Sequence, residues 1–232
     1  VYVIGLGCEC AQISLYNQSQ LEKNIDYLNI QDEGGTKEII SKVSEKIINE
    51  LEIINNIKRT PIPISELNVA LQCGGSDSYS GITANPALGI ASDMLIDHGG
   101  SSILSETTEI YGAEHLLYER SINKKNIEKI EKQIEWWKEH LTKNHSTLDN
   151  NPSPGNKKGG LTTILEKSLG AVAKSGNSPM VDVLDYGEPV KTKGFNFMNS
   201  PGYDPVSVTG QVASGANICL LYTSDAADEE DS

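Results

Sequence analysis

The stretch LQCGGSDSYSGITANP, residues 71–86, places a cysteine, two glycines, a serine and an aspartate directly after an apolar run. Adjacent glycines let backbone N–H groups approach an anion, and a hydroxyl and a carboxylate can hold a hydroxylated ligand. No Gly-Lys-Ser/Thr follows, so the pattern disfavours a nucleotide phosphate site. We predict a loop that binds a small substrate, with a plain turn as the alternative. The candidate substrate-binding residues are Gly74, Gly75, Ser76 and Asn85, and the candidate catalytic residue is Asp77.

Two cysteines, Cys8 and Cys73, each stand at the end of an apolar run that predicts a strand. If the two strands belong to one site, their thiolates can share a soft metal such as iron or zinc. The alternative is that each thiol is a small buried hydrophobic group, the more common state of a lone cysteine. Cys8 and Cys73 are therefore candidate metal ligands.

The segment SETTEIYGAEH, residues 105–115, carries groups suited to proton transfer or metal ligation. Glu106 and Glu109 supply carboxylates, and His115 follows six residues after the second of them. A carboxylate or an imidazole is the usual general base of an enzyme, so Glu106 and His115 are candidate catalytic residues. The alternative is a pair of helix-capping acids and a half-buried histidine.

Two lysines, Lys157 and Lys158, precede two glycines and then a predicted helix. Their ammonium groups, together with the N–H groups of the helix start, can bind a carboxylate. Solvated loop lysines are the alternative. We predict that Lys157 binds the substrate as an electrostatic clamp.

The elements that must position these residues alternate between strands and helices. Apolar runs predict strands at 2–6, 26–30, 67–72, 102–104 and 195–198. Helical spacing of apolar residues predicts helices at 12–23, from 36 onward, and at 85–97, 112–121, 124–143 and 161–174. The alternation predicts an α/β fold with Rossmann-like parallel-sheet layers and flanking helices. Glycine, cysteine, serine or acidic residues follow each of these five runs. Ligands of parallel α/β sheets bind at such carboxyl ends of strands.

Composition and charge exclude several classes of partner. The 232 residues are 38% hydrophobic and 22% charged, with a formal net charge of −13, so we expect no nucleic acid and no anionic membrane surface as partner. We find no apolar run of about 18 residues, the length that a membrane-spanning helix needs. Four cysteines without the spacing of a disulfide framework favour the cytoplasm.

The two ends of the sequence carry separate expectations. The chain opens inside an apolar run without a methionine, so we expect a truncated N-terminus. The stretch CLLYTSDAADE, residues 219–229, resembles the translation of a transposon adapter used to prepare sequencing libraries. We therefore expect residues 219–232 to be a non-native tail. The proline-containing segment KRTPIPISE, residues 58–66, predicts a domain boundary.

Six ordered motifs resemble the altronate dehydratase / galactarate dehydratase family over residues 1–217. They are GLGCE, LNIQDEGGT, LQCGGSDSYSGITANPALG, LSETTEIYGAEHLL, NNPSPGNKKGGLTTILEKSLGAVAKSG and NSPGYDPVSVTGQVASGAN. Cys10 and the pair Asn199-Ser200 depart from the family pattern. The resemblance implies an internal fragment with two partial domains: residues 1–60 from the end of a second α/β domain, and residues 61–218 from a third.

The resemblance also implies an activity. Family members are hydro-lyases, of EC 4.2.1 type, that remove water from a sugar acid to give a 2-keto-3-deoxy acid. The resemblance also implies a divalent metal cofactor, Fe(II) or Mn(II). Such a reaction needs a base for the C2 proton, a cation for the enediolate and an acid for the leaving hydroxyl. The alternatives are a large-subunit fragment of a sulfolactate sulfo-lyase and a catalytically incomplete acid-binding fragment.

The resemblance implies partners as well. The substrate is a small-molecule sugar acid. The N-terminal domain of the family is expected in cis or as a separate subunit, and a homo-oligomer is left open.

Overall fold

The computed structural model describes residues 1–10, 12–17 and 25–223 of the chain. It divides into two compact units, Val1–Pro61 and a second unit that begins at Ile62. The division lies within the proline-containing segment 58–66, where two prolines interrupt regular structure.

The first unit is a small α/β arrangement. Strands β1 (Tyr2–Gly5) and β2 (Asp26–Asn29) pair in parallel, with Tyr2 opposite Asp26. Helices α1 (Ile13–Asn17) and α2 (Thr36–Asn55) complete it. The predicted helix at 12–23 is described over Ile13–Asn17, and its remainder from residue 18 lies outside the described residues.

The second unit is built on a five-stranded parallel sheet of order β5-β6-β4-β3-β7. The strands are β3 (Asn68–Gly75), β4 (Ser101–Leu104), β5 (Met180–Leu184), β6 (Phe195–Met198) and β7 (Ile218–Thr223). All four residues of β4 and of β6 are buried, as is typical of inner strands of a parallel sheet. The predicted α/β fold is therefore confirmed.

Strand β3 runs further than the sequence predicts. It continues through Cys73 to Gly75, because β7 lies alongside and pairs with it as far as Thr223. The register shifts between Cys73 and Gly75, as at a β-bulge, which re-aims side chains at the end of a strand. Gly74 and Gly75 thus belong to the end of a strand. The strand β7 itself lies in the segment 218–223, and the expected origin of residues 219–232 stays a prediction.

In the described part of this unit, six helices flank the sheet. They are α3 (Ala84–Asp97), α4 (His115–Tyr118), α5 (Lys124–Lys143), α6 (Pro154–Lys158), α7 (Ile164–Ala173) and α8 (Asp204–Ala213). The bounds of α5 agree with the predicted helix at 124–143, and the Asn123 side chain caps it by accepting the Asn126 N–H. Helices α3 and α7 pack closely through glycines: a Cβ on Gly89 would lie 2.3 Å from the Ala173 carbonyl oxygen.

The segment between α5 and α7 is more ordered than a plain loop. It holds a 3₁₀ turn, Leu148–Asn150, and the short helix α6, whose Ser153 forms a capping box with Asn156. A second 3₁₀ turn, Thr107–Glu109, follows β4. In the described part of the chain, every helix is too short or too polar to cross a membrane.

Candidate active site

Buried polar side chains gather at the carboxyl ends of β3, β4 and β6, which are neighbours in the sheet. Gln72 comes from β3, Glu106 follows β4, and Ser200 follows β6; each is at most 1% exposed. Burial of a polar side chain costs free energy unless hydrogen bonds replace its lost hydration, so such a cluster indicates a specific network. This edge is also where ligands bind in parallel α/β sheets.

Glu106 occupies a left-handed backbone conformation, with φ 68° and ψ 58°. That conformation costs a non-glycine residue roughly 1–3 kcal/mol and persists only where surrounding contacts impose it. Here the Glu106 N–H donates to Ser200 Oγ at 2.9 Å, and the Thr107 N–H donates to the Ser200 carbonyl oxygen at 2.9 Å. The turn after β4 is therefore fixed to the loop after β6, which sets the direction of the Glu106 side chain.

Two buried ion pairs join this turn to helix α7. Lys174 Nζ lies 2.7 Å from Glu106 Oε2, and Lys167 Nζ lies 3.0 Å from Glu109 Oε1. The side chains of the first pair are 0% and 2% exposed, and those of the second are 8% and 7% exposed. The lysines are seven residues apart, so both project from one face of the helix and its end. We call Glu106–Lys174 the inner pair and Glu109–Lys167 the outer pair.

Gln72 connects the inner pair to a third carboxylate. Its Nε2 donates to Glu106 Oε1 at 2.8 Å and to Asp204 Oδ1 at 2.7 Å. Its Oε1 accepts the Ser207 hydroxyl at 2.8 Å, so both ends of the amide are held. Asp204 begins helix α8, where a carboxylate is favoured by the helix dipole.

Burial shifts the acidity of these groups. Burial raises the pKa of Glu106 to about 7, although the nearby Lys174 ammonium opposes the shift. Burial alone would lower the pKa of Lys174, but the Glu106 charge outweighs it and the pKa is raised to about 12. Burial also raises the pKa values of Asp204 and of the Cys73 thiol. Strongly shifted groups in a cleft are typical of functional sites.

A cavity of about 270 Å³ opens beside the outer pair, and we call it the proximal cavity. Lys167 Nζ, at its wall, also donates to Asn151 Oδ1 at 2.9 Å and to Asn156 Oδ1 at 3.3 Å. An ammonium, two carboxylates, a thiol and two hydroxyls thus face one small space, which suits an anionic, hydroxylated ligand. Its lining includes Cys73, Gly74, Ser76, Glu109, Lys167 and Asp204.

Several residues predicted from the sequence meet at this place. Cys73, Gly74 and Ser76 line the proximal cavity, and the Ser76 Oγ lies 2.6 Å from the Cys73 Sγ. Gly75 is the last residue of β3, beside them. Glu106 is 1% exposed and does not line the cavity; Gln72 connects it to Asp204, which does.

Two further predicted residues line a cavity of about 250 Å³ between α7 and the loop that follows β3. Asp77 Oδ1 accepts the backbone N–H groups of Tyr79 and Ser80, at 2.9 and 2.6 Å, and so shapes its own turn. Asn85 is buried and donates to the Gly170 carbonyl oxygen at 2.9 Å, which joins α3 to α7.

Two predicted residues of the second unit do not line the proximal cavity, and a third belongs to the first unit. His115 is exposed at the start of the four-residue helix α4, and Lys157 is exposed in the last turn of α6. Cys8 is exposed in the first unit. The predicted roles of Cys8, His115 and Lys157 stay predictions.

The lysine that faces the proximal cavity is Lys167, which sequence reasoning missed together with Lys174, Gln72 and Asp204. A signal was present in the sequence EKSLGAVAKSG, residues 166–176, where small and apolar residues separate two lysines by seven positions. On an otherwise apolar helix face, such lysines are buried only when an acid faces them. The acids, Glu106 and Glu109, were among the groups already singled out.

The described residues do not fit a metal site by themselves. Among them, no group of three or more histidine, cysteine or acidic side chains is arranged to hold a metal ion. In the second unit the Glu106 and Glu109 carboxylates are already paired with ammonium groups, and Cys73 supplies a single thiol. Ligation by Cys73 and Cys8 stays a prediction.

The fold and the site together define an α/β protein whose parallel sheet carries paired acids and lysines at its carboxyl edge. The chain belongs to the D-galactarate/altronate dehydratase family. Residues 64–225 match the family described as D-galactarate/Altronate dehydratase, C-terminal. The resemblance predicted from the six motifs is therefore confirmed.

Three curated relatives illustrate the match. Altronate dehydratase of Bacillus subtilis is 41% identical over 225 residues, which cover 96% of this chain and 45% of the relative. Galactarate dehydratase (L-threo-forming) of Escherichia coli is 38% identical, over 96% of this chain and 44% of the relative. The (2R)-sulfolactate sulfo-lyase subunit beta of Chromohalobacter salexigens is 36% identical, over 79% of this chain and 48% of the relative. The chain thus spans less than half the length of these relatives.

Proposed function

We propose that the complete gene product containing this chain is a hydro-lyase that removes water from a sugar acid and gives a 2-keto-3-deoxy acid. The observation that carries the proposal is the proximal cavity, where the Lys167 ammonium and the Glu109 and Asp204 carboxylates face one space. The names of the dehydratase relatives support the same reaction class.

In this proposal Lys167 binds the carboxylate of the substrate. The ammonium is nine-tenths buried and is held by three acceptors, so its charge acts in a medium that screens it weakly. Removal of the C2 proton places negative charge on the substrate carboxylate. A fixed cation at that position stabilises the resulting enediolate more than the ground state.

Asp204 is the proposed base for the C2 proton. Its carboxylate lines the cavity and is oriented by Gln72, and burial raises its pKa toward the range useful for proton transfer. The C2–H electron pair first enters the enediolate; when the enediolate collapses, that pair forms the C2–C3 double bond as the C3–O bond breaks. The departing hydroxyl takes a proton, which Asp204 can return, and leaves as water; the enol product then becomes the 2-keto acid.

The divalent metal implied by the family resemblance remains part of the proposal as a separate element. A bound Fe(II) or Mn(II) would supply Lewis-acid stabilisation of an oxyanion. Cys73 would offer it one thiolate ligand.

The test is an activity assay of the complete gene product with altronate, galactarate and sulfolactate, with and without Fe(II) or Mn(II), following release of 2-keto acid. Lys167→Met and Asp204→Asn are each expected to lower kcat/KM by about 10²–10⁴-fold. Lys125→Met is the matched control, because this lysine is exposed in the first turn of α5 and does not line the proximal cavity. Absence of keto acid from every substrate would refute the proposal.

A sulfo-lyase subunit is the second candidate, favoured by the similarity to the sulfolactate relative. That relative is a subunit beta, so this reading predicts a separately encoded partner. Sulfite released from sulfolactate, without dehydration of either sugar acid, would select it. Binding of a sugar acid without turnover would instead select the acid-binding fragment. We also propose a cytoplasmic location, since the four cysteines are free thiols.

A further inference from the structure

The Lys167 ammonium has three hydrogen-bond acceptors, one for each of its N–H donors. Lys167 Nζ lies 3.0 Å from Glu109 Oε1, 2.9 Å from Asn151 Oδ1 and 3.3 Å from Asn156 Oδ1. An ammonium donates three hydrogen bonds and accepts none. A ligand carboxylate that binds Lys167 must therefore replace one of these three acceptors.

The three acceptors differ in charge. Glu109 presents a carboxylate, whereas Asn151 and Asn156 present neutral amide oxygens. A carboxylate compensates the charge of the ammonium, while a neutral oxygen fixes its position and leaves the charge available. A ligand carboxylate in place of an amide would stand beside Glu109 at the same cation, and like charges at one site repel. A ligand in place of Glu109 instead conserves the ion pair.

Asn151 contacts both members of the outer pair. Its Oδ1 accepts from Lys167 Nζ, and its Nδ2 donates to Glu109 Oε1 at 3.2 Å. A buried carboxylate that loses its donors carries a large desolvation cost. The Asn151 N–H keeps Glu109 hydrogen-bonded when the ammonium turns to a ligand, so one orientation of this amide serves both states of the pair.

Asn156 is fixed by its own surroundings. Its Oδ1 also accepts the Ser153 N–H at 3.0 Å and the Ser153 hydroxyl at 2.8 Å, within the capping box of α6. Its Nδ2 donates to the Ser76 carbonyl oxygen at 2.9 Å. These contacts tie α6 to the loop after β3, and the oxygen that accepts from Lys167 therefore has a defined position.

We propose that Asn151 and Asn156 are positioning residues, whose neutral oxygens keep Lys167 at the wall of the proximal cavity while a substrate carboxylate replaces Glu109 as its charged partner. This inference rests on the proposed function, because it takes Lys167 as the group that binds the substrate carboxylate. It gives the segment between α5 and α7 a part in substrate binding.

The test replaces each amide by a carboxylate of the same shape, Asn151→Asp and Asn156→Asp, in the complete gene product with altronate and galactarate as substrates. Each variant retains an acceptor for Lys167 but adds a negative charge that competes with the substrate, so we expect KM to rise about tenfold or more. Asn151→Ala removes the acceptor without adding charge. It should lower kcat about tenfold, because the ammonium is held less precisely, and change KM less than Asn151→Asp does.

Asn150→Asp is the matched control, because this exposed residue takes the same charge change one position away and does not line the proximal cavity. A purely structural role would lower stability without separating KM from kcat. Unchanged KM in both aspartate variants would overturn the inference and leave the proposed function standing. Should Asn151→Asp fail to fold, Asn156→Asp decides, since its carboxylate can still accept the Ser153 N–H.

A binding measurement separates this inference from the proposed function. If the native protein releases no keto acid from either substrate, the proposed function fails, and calorimetric titration with the same two acids decides the inference. Weaker binding to the Asn151→Asp and Asn156→Asp variants than to the Asn150→Asp control supports it. Equal binding to all three, or no binding by the native protein, overturns it.

Discussion

Replacing the inner pair by neutral residues, Glu106→Gln with Lys174→Met, isolates one titrating group in the folded second unit. Removing both partners avoids leaving an unpaired buried charge, and paired neutral replacements of this kind are often close to neutral in stability. The glutamine introduced in place of Glu106 can still accept the Gln72 N–H, and the methionine introduced in place of Lys174 fills the volume of the lysine stem. Lys174, whose pKa is raised to about 12, stays charged below pH 9 in the native protein.

The sign of the effect follows from the pKa of Glu106. Burial raises this pKa from 4.5 to about 7, so the folded protein holds the proton more tightly than the unfolded chain does. Stability of the native protein relative to the double variant must therefore fall as pH rises from 4.5 to 7, and level off above. At about 1.4 kcal/mol per pH unit, the total fall is about 3 kcal/mol.

The assay is urea unfolding at several pH values, followed by fluorescence of Trp136 and Trp137, the two tryptophans of the chain. Glu188→Gln is the control of opposite sign, because hydrogen bonds from the Asp185 N–H, Lys191 and Lys129 lower the pKa of Glu188 to about 2. Its contribution is lost only below pH 4.5. If stability relative to the double variant rises between pH 4.5 and 7, Lys174 dominates over burial and the reasoning is wrong.

Three further changes test the site. Gly202→Ala places a Cβ 2.7 Å from Glu109 Oε1 and should cost about 1–3 kcal/mol in urea unfolding, whereas Gly155→Ala, whose nearest neighbour is 3.9 Å away, should cost nothing. In the complete gene product, Lys167→Arg should retain more activity than Lys167→Met, because it keeps the charge; equal losses would contradict electrostatic binding. Cys73→Ser should lower metal content and turnover together, measured by mass spectrometry and keto acid release; if both stay normal, the metal role is wrong.

The sequence was sufficient for the fold class, because three of the five strands of the second unit could be recognised. The runs around Leu71 and Phe197 are mainly apolar, and helices of 3.6-residue periodicity separate them, so a parallel α/β sheet follows from the pattern. Strand β5 escaped prediction, because Asp182 interrupts a run of only five residues. The end of β3 was misplaced because its pairing with β7 joins segments about 150 residues apart, which no local pattern records.

Site residues that directly follow a strand could be predicted from the sequence. Site residues on a helix were missed, because the rotation of the helix decides whether they face the cavity. Cys73 and Gly74 follow a strand, so their place at the carboxyl edge could be deduced. Lys157 and Lys167 are equally plausible clamps in the sequence, but α6 exposes the first while α7 turns the second inward. Asp77 was assigned to chemistry, yet its carboxylate is used by the local turn, a competition that sequence spacing leaves undecided.

The two ion pairs differ in a way that bears on the mechanism. The inner pair is at most 2% exposed and cannot exchange partners with a ligand, so it fixes the strained Glu106 turn. The outer pair stands at the wall of the proximal cavity, where a substrate carboxylate can compete with Glu109 for Lys167. A ligand carboxylate in the proximal cavity would therefore draw Lys167 away from Glu109, whereas the inner pair behind it keeps its geometry.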